Sequence, residues 1–230
     1  MEQRESEERL TMLRSDSGSW QAQYHLGLVN LLATLCQGDN RFGQSACQTI
    51  LHLSAVLSVT SDPHISFECK VPYIRFLLWV YINRADSIDA SLDAHIWFFV
   101  ETGVVPFLGR IRGLAASDPA AVRRLMSASA MHTLFACILP FIDLYFTHHF
   151  QLSTASPEVI TLSRRLADGL LSHLECARLF VSDNIQSVSI VHALELISER
   201  LEDIKLGEEI RSYRRQQAED PTLVRPEGVW

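Results

Sequence analysis

Lysine is scarce in this chain of 230 residues: only Lys70 and Lys205 occur, and the formal net charge is −7. The arginines lie in scattered pairs, such as Arg123–Arg124, and they form no dense cluster along the sequence. Nucleic acids are bound through a basic surface. We therefore predict that nucleic acid is not a partner of this protein.

A secretory signal and a membrane span are also missing from the pattern. The first ten residues, MEQRESEERL, are strongly charged, which is not the composition of a signal peptide. The longest apolar stretch, residues 131–146, includes His132, Pro140 and Asp143. It is shorter and more polar than the ~18–20 apolar residues of a membrane span. We predict a soluble, cytoplasmic chain without membrane insertion of its own.

Paired cysteines are lacking as well. The cysteines are Cys36, Cys47, Cys69, Cys137 and Cys176, an odd number at wide spacings. This is no disulfide framework and favours a reducing compartment. Zinc ligands usually lie two to four residues apart, unlike Cys36 and Cys47. A catalytic thiol needs a base, and His52 falls on a different helical face from Cys47. We expect buried structural cysteines.

The sequence also has no motif that carries catalysis. A nucleophile elbow, an H-E-x-x-H pair, a phosphate loop and a convincing pair of carboxylates are all absent. We therefore predict no enzyme, and assign no catalytic residue, no cofactor site and no metal site.

Helical periodicity is what the sequence does have. Apolar stripes with steps of three and four residues are Trp20, Tyr24, Leu28, Leu31 and Leu35; Phe67, Val71, Ile74, Leu78 and Tyr81; and Val159, Leu162, Leu166, Leu170, Leu174, Ala177 and Val181. The predicted helices are 3–14, 20–36, 43–52, 54–60, 67–83, 91–114, 119–147, 158–182 and 187–216. Strand-like alternation is not sustained anywhere.

Capping residues mark several helix starts. Ser19 precedes one helix, and Asp118–Pro119 and Ser156–Pro157 place a capping side chain before proline at the first helical position. Pro72 and Pro140 fall inside apolar runs, where we expect kinks or helix breaks.

Successive amphipathic helices with short turns bury their stripes by stacking side by side. We therefore predict an all-α, armadillo-like helical-repeat solenoid of stacked antiparallel helix pairs. Residues 1–18 are expected to form a charged N-terminal helix or tail, 19–216 a single solenoid domain, and 217–230 a frayed C-terminal tail.

The stretch LCQGDNRFGQSACQTILHLSAVLSV, which starts at Leu35, predicts a corner between two helices. Gly38 is expected to end the first helix in the left-handed conformation, with Asp39 or Asn40 capping the next helix. The stretch resembles the central cytosolic regulatory region of inositol trisphosphate receptors, the calcium release channels of the endoplasmic reticulum. The matching residues are Leu35, Cys36, Gly38, Asn40, Cys47, Ile50, Leu51, Leu53 and Val56.

The resemblance continues further along the chain. Residues 69–83 are similar to the family's Tyr-containing helix, and residues 93–101 to its His-x-Trp segment; the matching residues are Lys70, Tyr73, Phe76, Tyr81, His95 and Trp97. Related ryanodine receptors share the helical architecture. The chain departs from the family at Gln44 and Ser45, where an acidic residue is usual, and at Pro72, where a small helix former is usual.

The resemblance implies a cytosolic segment at the face of the endoplasmic reticulum that relays ligand binding to a pore. Other segments of the channel, sister subunits and protein modulators would be its partners. It implies neither a pore nor an inositol phosphate site in this chain, which lacks the basic cluster. The alternative is a free-standing armadillo-like adaptor; the methionine at the start of the sequence keeps that alternative open.

Individual polar and aromatic residues carry simpler expectations. Trp79 and Trp97 are expected to anchor the core, and Asp143 to face solvent or meet an arginine. His148–His149 are interpreted as a solvated helix end, with a metal or pH-sensing role as the alternative.

The last predicted helix carries a short heptad seam of Ile190, Leu194, Ile197, Leu201 and Ile204. We expect a terminal helix packed on its neighbours, with docking against another chain as the alternative.

Overall fold

The computed structural model describes residues 2–15, 18–38, 40–83, 90–109, 133–180 and 184–219. The regular elements in these ranges are all helical, with no β-strand among them, and the all-α prediction is confirmed. The predicted helix start at Asp118–Pro119 and most of the predicted tail lie outside the described residues.

Most of the described residues lie in α-helices. These helices are α1 (Glu2–Ser15), α2 (Trp20–Leu35), α3 (Arg41–Ile50), α4 (Leu53–Ser61), α5 (Phe67–Phe76), α6 (Ala90–Phe99), α7 (Leu139–His148), α8 (Pro157–Phe180), α9 (Asn184–Arg200) and α10 (Ile204–Glu219). Wider π-helical turns extend α5 over Leu77–Ile82, extend α6 over Val100–Val104, and precede α7 over Leu134–Ile138.

Predicted capping residues begin two of these helices. The Ser19 hydroxyl accepts a hydrogen bond from the Ala22 N–H at 3.2 Å, and the Ser156 hydroxyl accepts one from the Val159 N–H at 3.3 Å. Each bond satisfies a backbone donor that has no partner within its helix. Pro157 is the first residue of α8, as its missing N–H allows.

The two internal prolines behave differently. Pro72 does not end its helix, because α5 continues past it to Phe76 and into the following π turn. Pro140 lies in the first turn of α7, directly after the π turn Leu134–Ile138. The helical register therefore changes at Pro140, whereas Pro72 does not break its helix, and a kink at Pro72 stays a prediction.

The chain divides into two compact units. The first contains 1–107 and 126–149, and α5 lies at its centre. α5 packs against α2 and α4, and its π turn contacts α3 and α7. The largest fully buried side chains here include Tyr73, Phe76, Leu78 and Ile82. The single domain expected over 19–216 stays a prediction.

The second unit contains 108–125 and 150–230. In it α8 packs against α9, and α9 packs against α10. The predicted stripe of α8 is buried at Leu162, Leu166, Leu170 and Leu174. Gly169 lies on the same side, where an added Cβ would come within 2.7 Å of the Leu108 side chain. Only glycine allows this close approach.

The single helix predicted over 187–216 is wrong, because α9 ends at Arg200 and α10 begins at Ile204. Glu202 has a positive φ of 52°, and the Asp203 carboxylate caps α10 by accepting from the Leu206 N–H at 3.2 Å. The heptad seam is therefore interrupted after Leu201, and Ile204 is 76% exposed. The contacts of α9 and α10 agree with helices packed on their neighbours.

The stripe predicted on α2 faces outward, against expectation. Its five residues are between 41% and 75% exposed: Trp20, Tyr24, Leu28, Leu31 and Leu35. The buried face of α2 is formed instead by Ala22, Leu26, Val29 and Ala33. This second face is smaller in volume, and it packs against α5. Among the described residues, none of the helices is both long and apolar enough to cross a lipid bilayer.

Candidate coupling site

The corner between α2 and α3 is formed by a glycine and an asparagine. Gly38 has a φ of 85°, so the left-handed helix end predicted there is confirmed. Asn40 caps α3 by accepting from the Gly43 N–H at 3.0 Å, and its amide donates to the Leu35 carbonyl at 2.8 Å. Asp39, the other predicted cap, lies outside the described residues. One asparagine thus ties the end of α2 to the start of α3.

Cys36 and Cys47 meet inside this corner. Their sulfur atoms lie 3.4 Å apart, which is a contact between two free thiols and not a covalent bond. Burial, the hydrogen bond to Cys47 and its charge raise the pKa of the Cys36 thiol to about 12. A nucleophile or metal ligand needs the opposite shift. Both side chains are buried, as predicted for structural cysteines.

Metal ligation finds no support elsewhere in the described ranges either, where no three His, Cys, Asp or Glu side chains gather at one point.

The end of α5 is held by side chains from other helices. The last carbonyl groups of a helix have no partner within it. Here the Gln44 amide donates to the Trp79 carbonyl at 3.0 Å, and the Gln48 amide donates to the Val80 carbonyl at 2.9 Å. Gln44 is only 2% exposed. Two glutamines one turn apart on α3 therefore complete the hydrogen bonding of the π turn of α5.

Two more side chains complete this arrangement. The Asn83 amide donates to the Gly38 carbonyl at 2.7 Å, which joins the end of α5 directly to the corner. Nε2 of His149 lies 2.9 Å from the Ile82 carbonyl oxygen, so this ring nitrogen carries the proton and donates. We call Gln44, Gln48, Asn83 and His149 the α5 end cluster. It connects α3, the corner and the end of α7 to one helix terminus.

The two histidines at the end of α7 therefore differ. His148 is exposed, as expected for a solvated helix end. The same interpretation is wrong for His149, which is half-buried against Ile82. Burial lowers the pKa of His149, as does the neighbouring His148, while the bond to Ile82 and the charge of Asp93 raise it. The net shift favours the neutral ring.

α2 and α5 are joined along their length by polar contacts at the edge of the packed face. Nε2 of His25 lies 2.6 Å from the Tyr73 hydroxyl. The Arg75 guanidinium donates to the Asn30 side chain, and to the Thr34 hydroxyl at 3.4 Å. These contacts fix the register of α2 on α5, and so the position of the corner that follows α2.

Buried charges anchor the other end of α5. The Arg14 guanidinium contacts the Asp62 carboxylate at 2.5 Å, which attaches α1 to the turn before α5. Burial raises the pKa of Asp62, but the His64 N–H and Arg14 lower it more, and the net shift is downward. Burial also lowers the pKa of Lys70, an effect that the charge of Asp62 opposes.

The predicted core anchors and Asp143 can now be placed. Trp97 is buried and donates from Nε1 to the Tyr145 hydroxyl at 2.8 Å, as expected for an anchor. Tyr145 in turn donates to Asp93, and burial together with that carboxylate raises the pKa of Tyr145. Trp79 is only half-buried. Asp143 is exposed, as predicted.

An open groove lies between α4 and α6. Its volume is about 600 Å³, and it is lined by Ser54, Leu57, Ser58, Ser61, Ala94, His95 and Phe98. Aspartate, glutamate, lysine and arginine are not part of this lining, so the groove is suited to a weakly polar segment.

The α5 end cluster was not recognised from the sequence. A usable signal exists, because Gln44 and Gln48 are four residues apart and flank Cys47 on a helix whose inner face is otherwise apolar. A buried amide needs a partner, but the sequence does not say that the partner is the end of α5. No family model matches this chain.

Proposed function

We propose that this chain is a non-enzymatic coupling segment of a calcium release channel of the inositol trisphosphate receptor type. Its role is to transmit movement between a ligand-binding region and a pore, on the cytosolic face of the endoplasmic reticulum. The observation that carries this proposal is the α5 end cluster. It joins two stretches of the sequence that resemble the family, 35–59 and 69–83, through Gln44, Gln48 and Asn83.

Mechanical coupling needs elements that move as units. Packed helices shift as rigid bodies, because a dense core does not deform continuously. In the first unit α5 contacts α2, α3, α4 and α7, either directly or through its π turn. A displacement of α2 or α3 is therefore passed on to α5, and side-chain hydrogen bonds at its end resist slippage. The wider turn at Leu77–Ile82 adds a feature that is frequent at functional sites.

The departure from the family at Gln44 has a physical consequence. The buried Gln44 amide donates a hydrogen bond to the Trp79 carbonyl. A carboxylate has no N–H to donate and would oppose the carbonyl oxygen with its own negative charge. The glutamine therefore suits this divergent member, and the adjacent Ser45, which is exposed, has no such constraint.

The solenoid architecture belongs to the same proposal. Helices that follow one another in the chain pack together in α4 and α5, in α8 and α9, and in α9 and α10. This is the contact pattern of stacked helix pairs. The partners we propose are other segments of the channel, sister subunits and protein modulators.

A test requires the channel that contains this segment. The transcript that carries this reading frame is sequenced beyond both ends, and the channel it encodes is expressed in cells without endogenous receptors. Ligand-triggered calcium release is then compared for the wild type and Gln44→Glu, with Ser45→Glu as the control. We expect loss of release in Gln44→Glu with ligand binding retained. Unchanged release, or a transcript without a ligand-binding core and pore helices, would refute the proposal.

A free-standing adaptor is the second candidate, and two specific observations favour it. The outward face of α2 is apolar, and the groove between α4 and α6 is open. Both are features of protein-binding surfaces. Co-purification separates the two functions: an adaptor is recovered from cell extract with soluble proteins, and a channel segment remains in the detergent-extracted membrane fraction.

A further inference from the structure

The strongest unexplained surface of the molecule is the outward side of α2. We define the α2 outer face as Trp20, Tyr24, Leu28, Leu31 and Leu35, all of them exposed. The opposite side of the same helix is also apolar, and it packs against α5. A helix that is apolar on both sides is normally buried on both sides. The α2 outer face is therefore an apolar side that none of the described elements covers.

The composition of this helix is that of an interface core. Aspartate, glutamate, lysine and arginine do not occur between Trp20 and Leu35. Interface cores are depleted in charge and enriched in aromatic residues, as is seen here with Trp20 and Tyr24. Arg75 borders the helix from α5, where Asn30 and Thr34 hold its guanidinium. A cation at the edge of an apolar centre is the usual arrangement of a polar rim.

Gly27 adds an independent observation. It is exposed in the middle of α2, and an added Cβ would meet nothing within 4 Å. The single chain therefore does not require glycine, although glycine costs about 1 kcal/mol relative to alanine inside a helix. A close approach by another backbone does require it. Gly27 lies next to Tyr24 and Leu31 around the helix, at the border of the α2 outer face.

The order of residues indicates which partner fits. Trp20 and Leu35 are equally far from the midpoint between Gly27 and Leu28, and so are Tyr24 and Leu31. In an antiparallel pair of identical helices, each aromatic ring therefore meets a leucine of the second copy. Near the two-fold axis Leu28 meets Gly27 of the second copy, and the missing side chain of Gly27 allows the backbones to approach. The face is self-complementary, which is the requirement of a two-fold interface.

The area is also of the size that such a pair needs. The five side chains present on the order of 600 Å² of apolar surface, and a standard interface takes about 800 Å² from each partner. Polar surface for the remainder is supplied by neighbouring exposed residues on the same side, Gln21 and Thr34. The absence of charge means that two copies meet without like-charge repulsion at the centre.

We propose that two copies of this chain associate through the α2 outer face, with the two α2 helices antiparallel. The proposal does not depend on the channel function, and it predicts a reversible dimer that is populated at micromolar concentration. An unrelated apolar helix and a membrane surface are the other occupants that such a face could take, and with either of them the chain would keep its single-chain mass in the test.

The first measurement is sedimentation equilibrium of the full chain from about 1 to about 100 μM, a range that spans micromolar association. We expect the mass to rise from 26.0 kDa toward twice that value. Leu31→Glu should weaken association at least tenfold and leave the circular dichroism spectrum unchanged, since Leu31 is exposed. Ile204→Glu is the matched control, because it places the same charge at another exposed apolar residue, in α10.

Gly27→Ala separates docking from folding. Alanine favours the helix, so the melting temperature of the single chain should rise by a few degrees. The added methyl groups should nevertheless weaken the dimer. These opposite directions cannot both result from damage to the fold.

Orientation is tested by cross-linking. Trp20→Cys and Leu35→Cys are prepared separately, mixed in equal amounts and treated with a short thiol cross-linker, with the wild type as the control for native thiols. An antiparallel pair gives mixed dimers and few dimers of either variant alone. Dimers of Trp20→Cys with itself would refute the antiparallel arrangement.

A single-chain mass at all concentrations would refute self-association. So would a dimer that Leu31→Glu leaves intact. Binding of the chain to phospholipid vesicles that Leu31→Glu abolishes, without self-association, would assign the face to a membrane surface and refute the proposal equally.

Discussion

α2 and α8 carry apolar stripes of the same period, yet the structure places them oppositely. The stripe of α8 is buried at Leu166 and Leu170, whereas the stripe of α2 is exposed at Tyr24 and Leu31. The difference lies on the other side of each helix. Behind its stripe, α8 has exposed charged residues, such as Arg165 and Asp168, so only one side can be buried.

α2 has a second apolar side of small residues, Ala22 and Ala33 among them, and this side is the one that packs. Small side chains let α2 lie close to α5, and the larger stripe then stays outside. Hydrophobic period predicts the buried side of a helix when there is one apolar side. With two apolar sides, it predicts only that two partners are needed.

The largest expected effect contrasts the two stripes directly. Leu166→Ala should lower the free energy of unfolding by about 3 kcal/mol, because it leaves a cavity in a buried face. Leu31→Ala should change it by less than about 0.5 kcal/mol at concentrations where the chain is single, because the side chain is exposed. Urea unfolding followed by circular dichroism measures both values.

Leu26→Ala provides the control within α2, since Leu26 belongs to the packed side. We expect a loss of about 2–3 kcal/mol there. Equal losses for Leu26→Ala and Leu31→Ala would show that α2 has no solvent-facing side and would remove the contrast with α8.

The buried side of α8 also contains a titratable group. Burial lowers the pKa of His173 to about 4, below the ordinary value of about 6.5. Between these pH values the unfolded chain binds a proton that the folded chain does not, so stability falls as the pH is lowered from 6.5 to 4. The loss should reach about 3 kcal/mol, and His173→Gln should remove this part of the pH dependence.

His148→Gln is the matched control for that measurement, because His148 is an exposed histidine at the end of α7. Urea midpoints between about pH 4 and 7 cover the transition of His173. If the urea midpoint depends on pH equally steeply in the wild type and in His173→Gln, another titratable group causes the loss of stability at low pH.

A substitution in the α5 end cluster should change the free energy of unfolding by less than Leu166→Ala does. Gln44→Glu removes the donor to the Trp79 carbonyl and buries a charge, and should cost about 2 kcal/mol. Ser45→Glu adds the same charge at an exposed neighbour and should cost less than about 0.5 kcal/mol. Thermal unfolding gives the melting temperatures of both variants. Similar melting temperatures would contradict the assigned role of Gln44.

The smallest expected effect concerns the corner. Asn40→Ala removes the cap of α3 and the bond to Leu35, and should cost about 1 kcal/mol. Asn40→Asp keeps the accepting oxygen and should recover most of that loss. If both variants are equally unstable, the bond to the Leu35 carbonyl matters more than the cap.

Local features of the fold could be predicted from the sequence. Ser19, Asn40 and Ser156 are followed by helices because their side chains satisfy backbone donors within three residues. Gly38 adopts a left-handed conformation that depends on its own lack of a side chain. These features depend only on residues that are close in sequence. They predict where α2, α3 and α8 begin and where α2 ends.

Non-local features could not be predicted in the same way. The contact between Cys36 and Cys47 depends on the angle at the corner, and the bond from Gln44 to Trp79 depends on how α3 lies against α5. The break after Leu201 was missed because an apolar seam spans it, although Asp203 is a good cap for the next helix. The sequence shows that buried polar groups need partners but does not identify them.

The central claim is that one side of α2 packs against α5 and the other side is exposed. The most direct test is fluorine NMR of the chain labelled with 5-fluorotryptophan. Trp20 is 75% exposed and Trp97 is 4% exposed, and single Trp-to-Phe variants assign the two resonances. At high dilution we predict a large solvent isotope shift between H₂O and D₂O for Trp20 and almost none for Trp97. The shift of Trp20 should then decrease as the concentration rises. A Trp20 resonance that is shielded from solvent at every concentration would contradict the account.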